Sequence, residues 1–291
     1  MKWLITGGSG QLGLALQEEL TQRGIDFVSA NSSELDITKP LIVNQMVDLI
    51  MPSVIINAAA WTDVDGAESN ESAAHAVNAL GPQNLAIAAS KAGARLVQIS
   101  TDYVFSGEAP SPWSENAPRN PQSVYGSTKG EGENFVLTTL PSNSYVVRTA
   151  WLYSPQGKNF AKTMANLASN KKGEVRVVND QIGQPTFAGD LANQIVELVL
   201  SDASAGIYHG TNSGQATWFE FAQEIFSLAG ADVSRVMPVS TSEFSKPAKR
   251  PAYSVLGHDA WARTSVPAMR NWKIALEEAI PAIISAVKAE G

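Results

Sequence analysis

A short apolar strand runs directly into a glycine turn at the start of this chain, and that junction constrains the fold more than any other stretch. Lys2-Trp3-Leu4-Ile5-Thr6 reads as a buried strand. Gly7-Gly8-Ser9-Gly10-Gln11-Leu12-Gly13 follows. An amphipathic helix from about Gln11 to Arg23 then carries Leu12, Leu16 and Leu20 on one face. Gly7, Gly10 and Gly13 have the spacing G-x-x-G-x-x-G. Such glycines serve a tight turn, the close approach of a pyrophosphate to bare backbone, and close packing of helix on strand. A strand–glycine–helix unit predicts a dinucleotide site, with Gly7, Ser9, Gly10, Gln11, Leu12 and Gly13 around the phosphates.

The units that follow keep the alternation. Strands are expected at about 26–29, Val54-Ile55-Ile56, 95–99 and 144–148, with helices at about 40–50, 69–92 and from Tyr125 to about Thr139. Gly81-Pro82 predicts a bend in the long helical tract. This pattern specifies an α/β fold built on a Rossmann-type doubly wound parallel sheet. Residues 1–150 form its dinucleotide-binding part, to which 180–203 returns through a helix from about Ala188 to Leu200. Residues 151–179 and 204–291 form a smaller C-terminal α/β lobe for substrate. It holds helices at about 160–168, 218–229 (capped by Thr217) and 274–287, and a strand at 175–178.

Candidate ligand residues cluster where these strands end, the place where open α/β sheets bind ligands. After the second strand stands Ala30-Asn31-Ser32-Ser33, with no carboxylate before Glu34. Ser32 and Ser33 suit a ribose 2′-phosphate, which favours NADPH while leaving NADH open. Asp36 and Ile37 fall where adenine would lie, although Asp36 also fits a helix cap before Pro40. Asn57, Ala58 and Ala59 are small enough to let a cofactor pass close to the backbone. Asp63, Asp65 and Glu68 sit in a loop from Trp61, without the spacing of a calcium loop, and read as caps and solvated acids. No metal is expected.

Tyr125 and Lys129 lie four residues apart, about 6 Å from each other on one helix face. An ammonium at that distance is expected to draw a phenol's pKa from about 10 toward neutrality and make it a general acid. Residues 107–122 are rich in Gly, Pro and Ser and predict a loop over the site. Lys246-Pro247-Ala248-Lys249-Arg250-Pro251 reads either as a solvated turn or as a phosphate clamp.

Composition narrows the partners. The net charge is −7 with no basic cluster, which argues against nucleic acid. No apolar run approaches membrane-spanning length and no signal segment is evident. The absence of cysteine fits a reducing compartment, so a cytoplasmic location is expected. Periodicity leaves a homodimer open.

Taken together the motifs resemble the extended short-chain dehydrogenase/reductases, and within them the dTDP-4-dehydrorhamnose reductase family. The similarity runs through Gly7 to Gly13, Asn57-Ala58-Ala59-Ala60, Ser100-Thr101-Asp102-Tyr103-Val104-Phe105, Tyr125-x-x-x-Lys129, Arg148-Thr149-Ala150-Trp151, Asn159-Phe160, Gln181-x-Gly183-x-Pro185-Thr186 and Arg250-Pro251. The resemblance implies NADPH-dependent reduction of the C4 ketone of dTDP-4-dehydro-L-rhamnose to dTDP-L-rhamnose, a precursor of surface polysaccharide. It implies that Tyr125 donates the proton, Lys129 holds the nicotinamide ribose and Thr101 polarises the carbonyl. Asp102, Trp151 and Asn159 would contact the sugar, and Arg250 the diphosphate. Trp61 and Asp63 stand where relatives more often carry Tyr or His and Ala, which bears on sugar choice. Other readings on the same fold are a different 4-keto-6-deoxy-sugar reductase, a nucleotide-sugar 4-epimerase or a 4,6-dehydratase. Tyr103 argues against the dehydratase, which places Glu there. A non-catalytic NADP-binding regulatory subunit is the reading from another class.

Overall fold

The computed structural model describes residues 2–170, 172–244 and 246–290. Strands β1 (Lys2–Thr6), β2 (Asp26–Ala30), β3 (Val54–Asn57), β4 (Arg95–Thr101) and β5 (Ser144–Thr149) come first, and the short strands β6 (Leu152–Tyr153), β7 (Val175–Val178), β8 (Ile182–Gly183), β9 (Thr186–Phe187), β10 (Gly206–His209), β11 (Ala216–Thr217) and β12 (Val236–Val239) follow. Helices are α1 (Gln11–Gln22), α2 (Pro40–Ile50), α3 (Val64–Ser69), α4 (Glu71–His75), α5 (Gly81–Ala92), α6 (Val124–Thr139), α7 (Phe160–Ser169), α8 (Ala188–Leu200), α9 (Trp218–Leu228) and α10 (Trp272–Glu290).

Six parallel strands form the main sheet in the order β10-β5-β4-β3-β1-β2. The apolar runs of β1, β3 and β5 are buried on both faces, because helices cover both sides. Leu12, Leu16 and Leu20 of α1 pack with Leu191, Ile195 and Val199 of α8 on one side. On the other, Val43 and Val47 of α2 meet Leu85 and Ala89 of α5 and Val136 of α6. The chain leaves β1 toward β2 and comes back on the far side as β3. The crevice past the carboxyl ends of β1 and β3 is therefore a topological switch point.

A second core belongs to the other lobe, where Tyr153, Phe221, Phe226, Trp272, Leu276 and Ile283 join α7, α9 and α10. The boundary expected at residue 203 needs correction. Gly206–His209 pairs with β5 as the sixth strand, and Trp261, Val266 and Met269 pack into the core under that sheet. A four-residue strand followed by Gly210-Thr211-Asn212-Ser213-Gly214 has too little periodicity to be told from loop.

Three local expectations also change. The stretch from Trp61 is only partly loop: α3 begins at Val64, with Asp63 capping it by accepting from the Gly66 amide at 2.9 Å. The long helical tract, expected to bend at Gly81-Pro82, widens into a π-helix over Ala76–Leu80 just before these residues, which begin α5. Residues 107–122, expected as a loop over the site, contribute no residue to the lining of the cavity at the strand ends. Trp113 stacks on Phe105 at 4.6 Å, and its amide donates to the Val255 carbonyl at 2.8 Å, which straps the segment to the chain around Leu256.

Candidate active site

A cavity of about 810 Å³ opens at the switch point. One end is walled by backbone and small residues: Gly7, Ser9, Gly10, Gln11, Leu12, Ala58 and Ala59. Gly7 has φ +70°, and a Cβ there would lie 2.6 Å from the Ala59 nitrogen. A methyl at Gly13 would collide with the Gly7 carbonyl oxygen. So Gly7 makes the turn, and Gly13 lets α1 sit against it without itself facing the cavity. No side chain caps α1 at Gly10. Its first backbone amides remain available to an anion in the cavity, with the helix dipole behind them. This cradle fits a dinucleotide pyrophosphate.

The part of the cavity expected to take adenosine admits only some of the residues expected there. Ser32, Asp36 and Ile37 line it. Ser33 does not, because its hydroxyl and amide both donate to Asn31 Oδ1. Asp36 is not the helix cap considered above: α2 is preceded by Lys39, and Asp36 Oδ1 accepts from the Thr38 hydroxyl at 2.7 Å and amide at 3.0 Å. The Thr38 hydroxyl is the main reason its carboxyl lies below the usual range. Asn57 does not reach the cavity. It is fully buried, accepting from Thr6 Oγ1 at 2.6 Å and donating to Gln98 Oε1 at 2.7 Å, and it fixes the turn by accepting from the Ala59 amide. Lys158, which the sequence did not single out, adds a cation to the wall.

At the other end Thr101, Asp102, Tyr103, Tyr125, Lys129 and Trp151 come together. Thr101 ends β4, and Thr149 beside it ends β5. Tyr125 and Lys129 lie in the first turns of α6, whose start is fixed by Ser123 accepting from the Gly126 amide and Glu68 accepting from the Val124 amide. Gly126 has no room for a side chain, since a Cβ would strike the Tyr103 carbonyl. Tyr103 and Tyr125 meet edge to face at 5.5 Å.

The electrostatics differ from the expectation of a phenol drawn toward neutrality. Tyr125 is half-buried, and what surface it has faces the cavity. Burial pushes its phenol up to about 12, with Asp102 adding to the rise and Thr101 opposing it. Lys129 is buried, and its ammonium donates to the Ile99 carbonyl at 2.5 Å. Burial lowers it to about 8, against the pull of Glu133. The ammonium thus spends its charge on a carbonyl and a carboxylate on its own side of the helix. Burial also raises Asp102 to about 6, opposed by Ser254 and Thr101. Thr101 donates to Asp102 Oδ1 at 2.9 Å, whereas Oδ2 and the Ser254 hydroxyl are buried outside hydrogen-bonding geometry.

Behind this end lies a buried ion cluster. Glu133 accepts from Arg148 Nη2 at 2.7 Å, Arg148 Nε at 2.8 Å, Arg119 at 3.0 Å and the Ser100 hydroxyl at 2.6 Å. Arg148 also faces His209 Nε2 at 3.4 Å, and burial together with that guanidinium depresses His209 to about 3. The cluster ties α6 to the ends of β4, β5 and β10. Its sequence signal was one carboxylate a helical turn beyond Lys129, which looks solvated until the fold buries it.

Asn159, expected at the sugar, and Arg250, expected at the diphosphate, are engaged by other groups. Asn159 caps α7 by accepting from the Lys162 amide, and it donates to Gln11 and the Ser154 carbonyl. Arg250 does not line the cavity. It pairs with Asp65 at 2.8 Å beside Tyr103, and Lys249 pairs with Glu108. Conversely, the structure brings in Trp218 and Trp61. Trp218 stacks on Trp151 at 3.6 Å and 10°. Trp61 lines the cavity, and Asn78 in the π-helix holds its backbone at both N–H and carbonyl. No cluster of carboxylates and imidazoles arranged to hold a metal occurs among the described residues.

A parallel α/β sheet with a glycine cradle at its switch point, and a Tyr/Lys/Thr group across the same cavity, defines a dinucleotide-dependent enzyme of the short-chain dehydrogenase/reductase type. The match to known proteins is closer still. The RmlD substrate binding domain family matches residues 1–284. A dTDP-4-dehydrorhamnose reductase of Streptomyces griseus is 45% identical over 286 residues, covering 97% of this chain and 94% of that one. A dTDP-4-keto-6-deoxy-D-glucose reductase of Streptomyces niveus is also 45% identical, over 96% of each. The crystal structure of a Bacillus anthracis dTDP-4-dehydrorhamnose reductase in complex with NADP superposes with a TM-score of 0.92 at 42% identity, covering 96% of this chain and 98% of that one. The chain belongs to the dTDP-4-dehydrorhamnose reductase family, and no helix among its described residues is long and apolar enough to cross a membrane.

Proposed function

We propose that this protein reduces the C4 ketone of dTDP-4-dehydro-L-rhamnose to dTDP-L-rhamnose with NADPH. The observation that carries this reading is the single cavity that joins the glycine cradle to Thr101, Tyr125 and Lys129. NADPH supplies the hydride. Gly7, Gly10 and the first amides of α1 would hold its pyrophosphate, and Ser32, which lines the same cavity, has a hydroxyl suited to its 2′-phosphate. Tyr125 would be the proton donor to the sugar O4. Its raised pKa keeps it protonated at neutral pH, so the phenol is always ready as a donor. Thr101 would turn its one hydroxyl proton from Asp102 Oδ1 to the same oxygen, and Lys129, which lines the cavity and is charged below about pH 8, would hold the nicotinamide ribose. Asp102 holds the Thr101 hydroxyl in place until the sugar oxygen takes over that hydrogen bond.

A second reading, reduction of another dTDP-4-keto-6-deoxy sugar, is favoured by the Streptomyces niveus relative, which is as similar as the rhamnose enzyme. The same assay separates the two. Mixed with dTDP-4-dehydrorhamnose, the protein should consume one NADPH per sugar, read at the reduced-nicotinamide absorbance. Oxidation of NADPH only with the glucose-configured ketone would replace the first reading by the second. No oxidation with either would remove both.

A further inference from the structure

Trp151 adopts φ +45°, a left-handed conformation that a bulky side chain rarely takes. It stands between β5 and β6, where the chain passes from one lobe to the other. Its local backbone preference therefore does not set the direction of its indole, and the neighbours must. One of them is Trp218, parallel at 3.6 Å. Another is Gly183, where a Cβ would lie 2.5 Å from Trp151 Cε2 and slightly further from Nε1 and Cζ2. A ring-fusion atom being nearest places Gly183 over the flat of the ring. No Trp218 atom intervenes among the closest three, which puts Gly183 on the opposite face.

Trp218 is itself anchored. It is the first residue of α9, whose start is fixed by a reciprocal capping box between Thr217 and Glu220. Phe160 packs against its ring at 4.6 Å. Both indoles line the cavity. We infer that Trp218 is a positioning residue for the sugar subsite: it clamps the strained Trp151 against Gly183, so that Trp151 meets the substrate with its rim rather than its face. The capped end of a helix in the smaller lobe thereby sets the shape of a wall built by the larger one. This rests on the reading that the sugar lies at the Trp151 end of the cavity.

The test is the separation of constants in Trp218→Ala and Trp218→Phe. With Trp218→Ala, KM for the dTDP-4-keto sugar should rise tenfold or more, kcat should change less than threefold, and the Kd of NADPH should stay within twofold. Trp218→Phe keeps a flat ring over Trp151 and should recover KM to within about threefold of the parent. Gly183→Ala, acting from the other face, should raise KM in the same way. An unchanged KM in Trp218→Ala overturns the proposal. So does a common loss of sugar and NADPH affinity in both Trp218 variants, which would mark a purely structural residue. Calorimetric binding of dTDP-L-rhamnose gives the same comparison without turnover. If the parent oxidises no NADPH yet binds this ligand, the functional reading fails while Trp218 is still judged on Kd.

Discussion

The two ends of the cavity are made of different materials. The cofactor end is backbone: a positive-φ glycine, a second glycine with no room for a methyl, uncapped helix amides and two alanines. It is contributed mainly by two short stretches that end adjacent parallel strands. The other end is made of side chains, with Tyr103, Tyr125, Trp151 and Trp218 drawn from separate parts of the chain and pressed on one another. Backbone recognises what every dinucleotide shares, a diphosphate on a ribose. Stacked aromatic side chains suit one particular ligand shape, and they can be exchanged without disturbing the sheet. Substrate range in such a protein should therefore change at one end alone.

The largest effect should come from removing the proton donor. Tyr125→Phe is expected to lower kcat by about 10²- to 10⁴-fold while leaving NADPH affinity and melting temperature nearly unchanged. Steady-state rates beside a cofactor titration decide it, and retained turnover would mean the proton comes from another group. Gly13→Ala attacks the backbone-built end. The methyl has to push on the Gly7 carbonyl, so a loss of about 1–3 kcal/mol in stability is expected. NADPH binding should weaken with it, and dTDP binding should not. Equal loss of both ligands would show that the two ends are not separable.

Next in size is a pH effect. Lys129 titrates near 8 and Tyr125 near 12 in the folded protein. The alkaline fall of kcat/KM should thus begin near pH 8, about tenfold per unit, from loss of the lysine charge rather than of the phenol proton. Lys129→Arg holds its charge at all these pH values and should shift that limb upward even if its rate is lower; an unmoved limb would assign it to another group. The smallest effect is expected from Asn159→Ala. Loss of the cap on α7 should cost about 1 kcal/mol by thermal or denaturant unfolding. KM for the sugar should hardly move, whereas a large rise in KM would return Asn159 to the sugar site.

The same division explains what could be read from the chain. Gly7, Gly10 and Gly13 speak through a fixed spacing between a strand and a helix, because a turn of backbone is a local object. The alternation of elements likewise fixed the parallel sheet, since parallel strands need crossovers and crossovers are helices. Tyr125 and Lys129 were visible as an i,i+4 pair, but the direction of their titration was not. That depends on burial and on Ile99 and Glu133, which the sheet brings up from behind. Asn57 and Arg250 had the right chemistry for ligands and were taken instead by Thr6, Gln98 and Asp65. The partner of a polar side chain is a tertiary fact. Trp218 stands 67 positions beyond Trp151 in the chain and reaches it only once α9 has packed into the second core. By itself the sequence determined a doubly wound sheet with a glycine cradle suited to a dinucleotide at its switch point, because that information lies in local spacing. Which side chains line the other end of that cavity, and in what charge state, only the packing of distant segments decided.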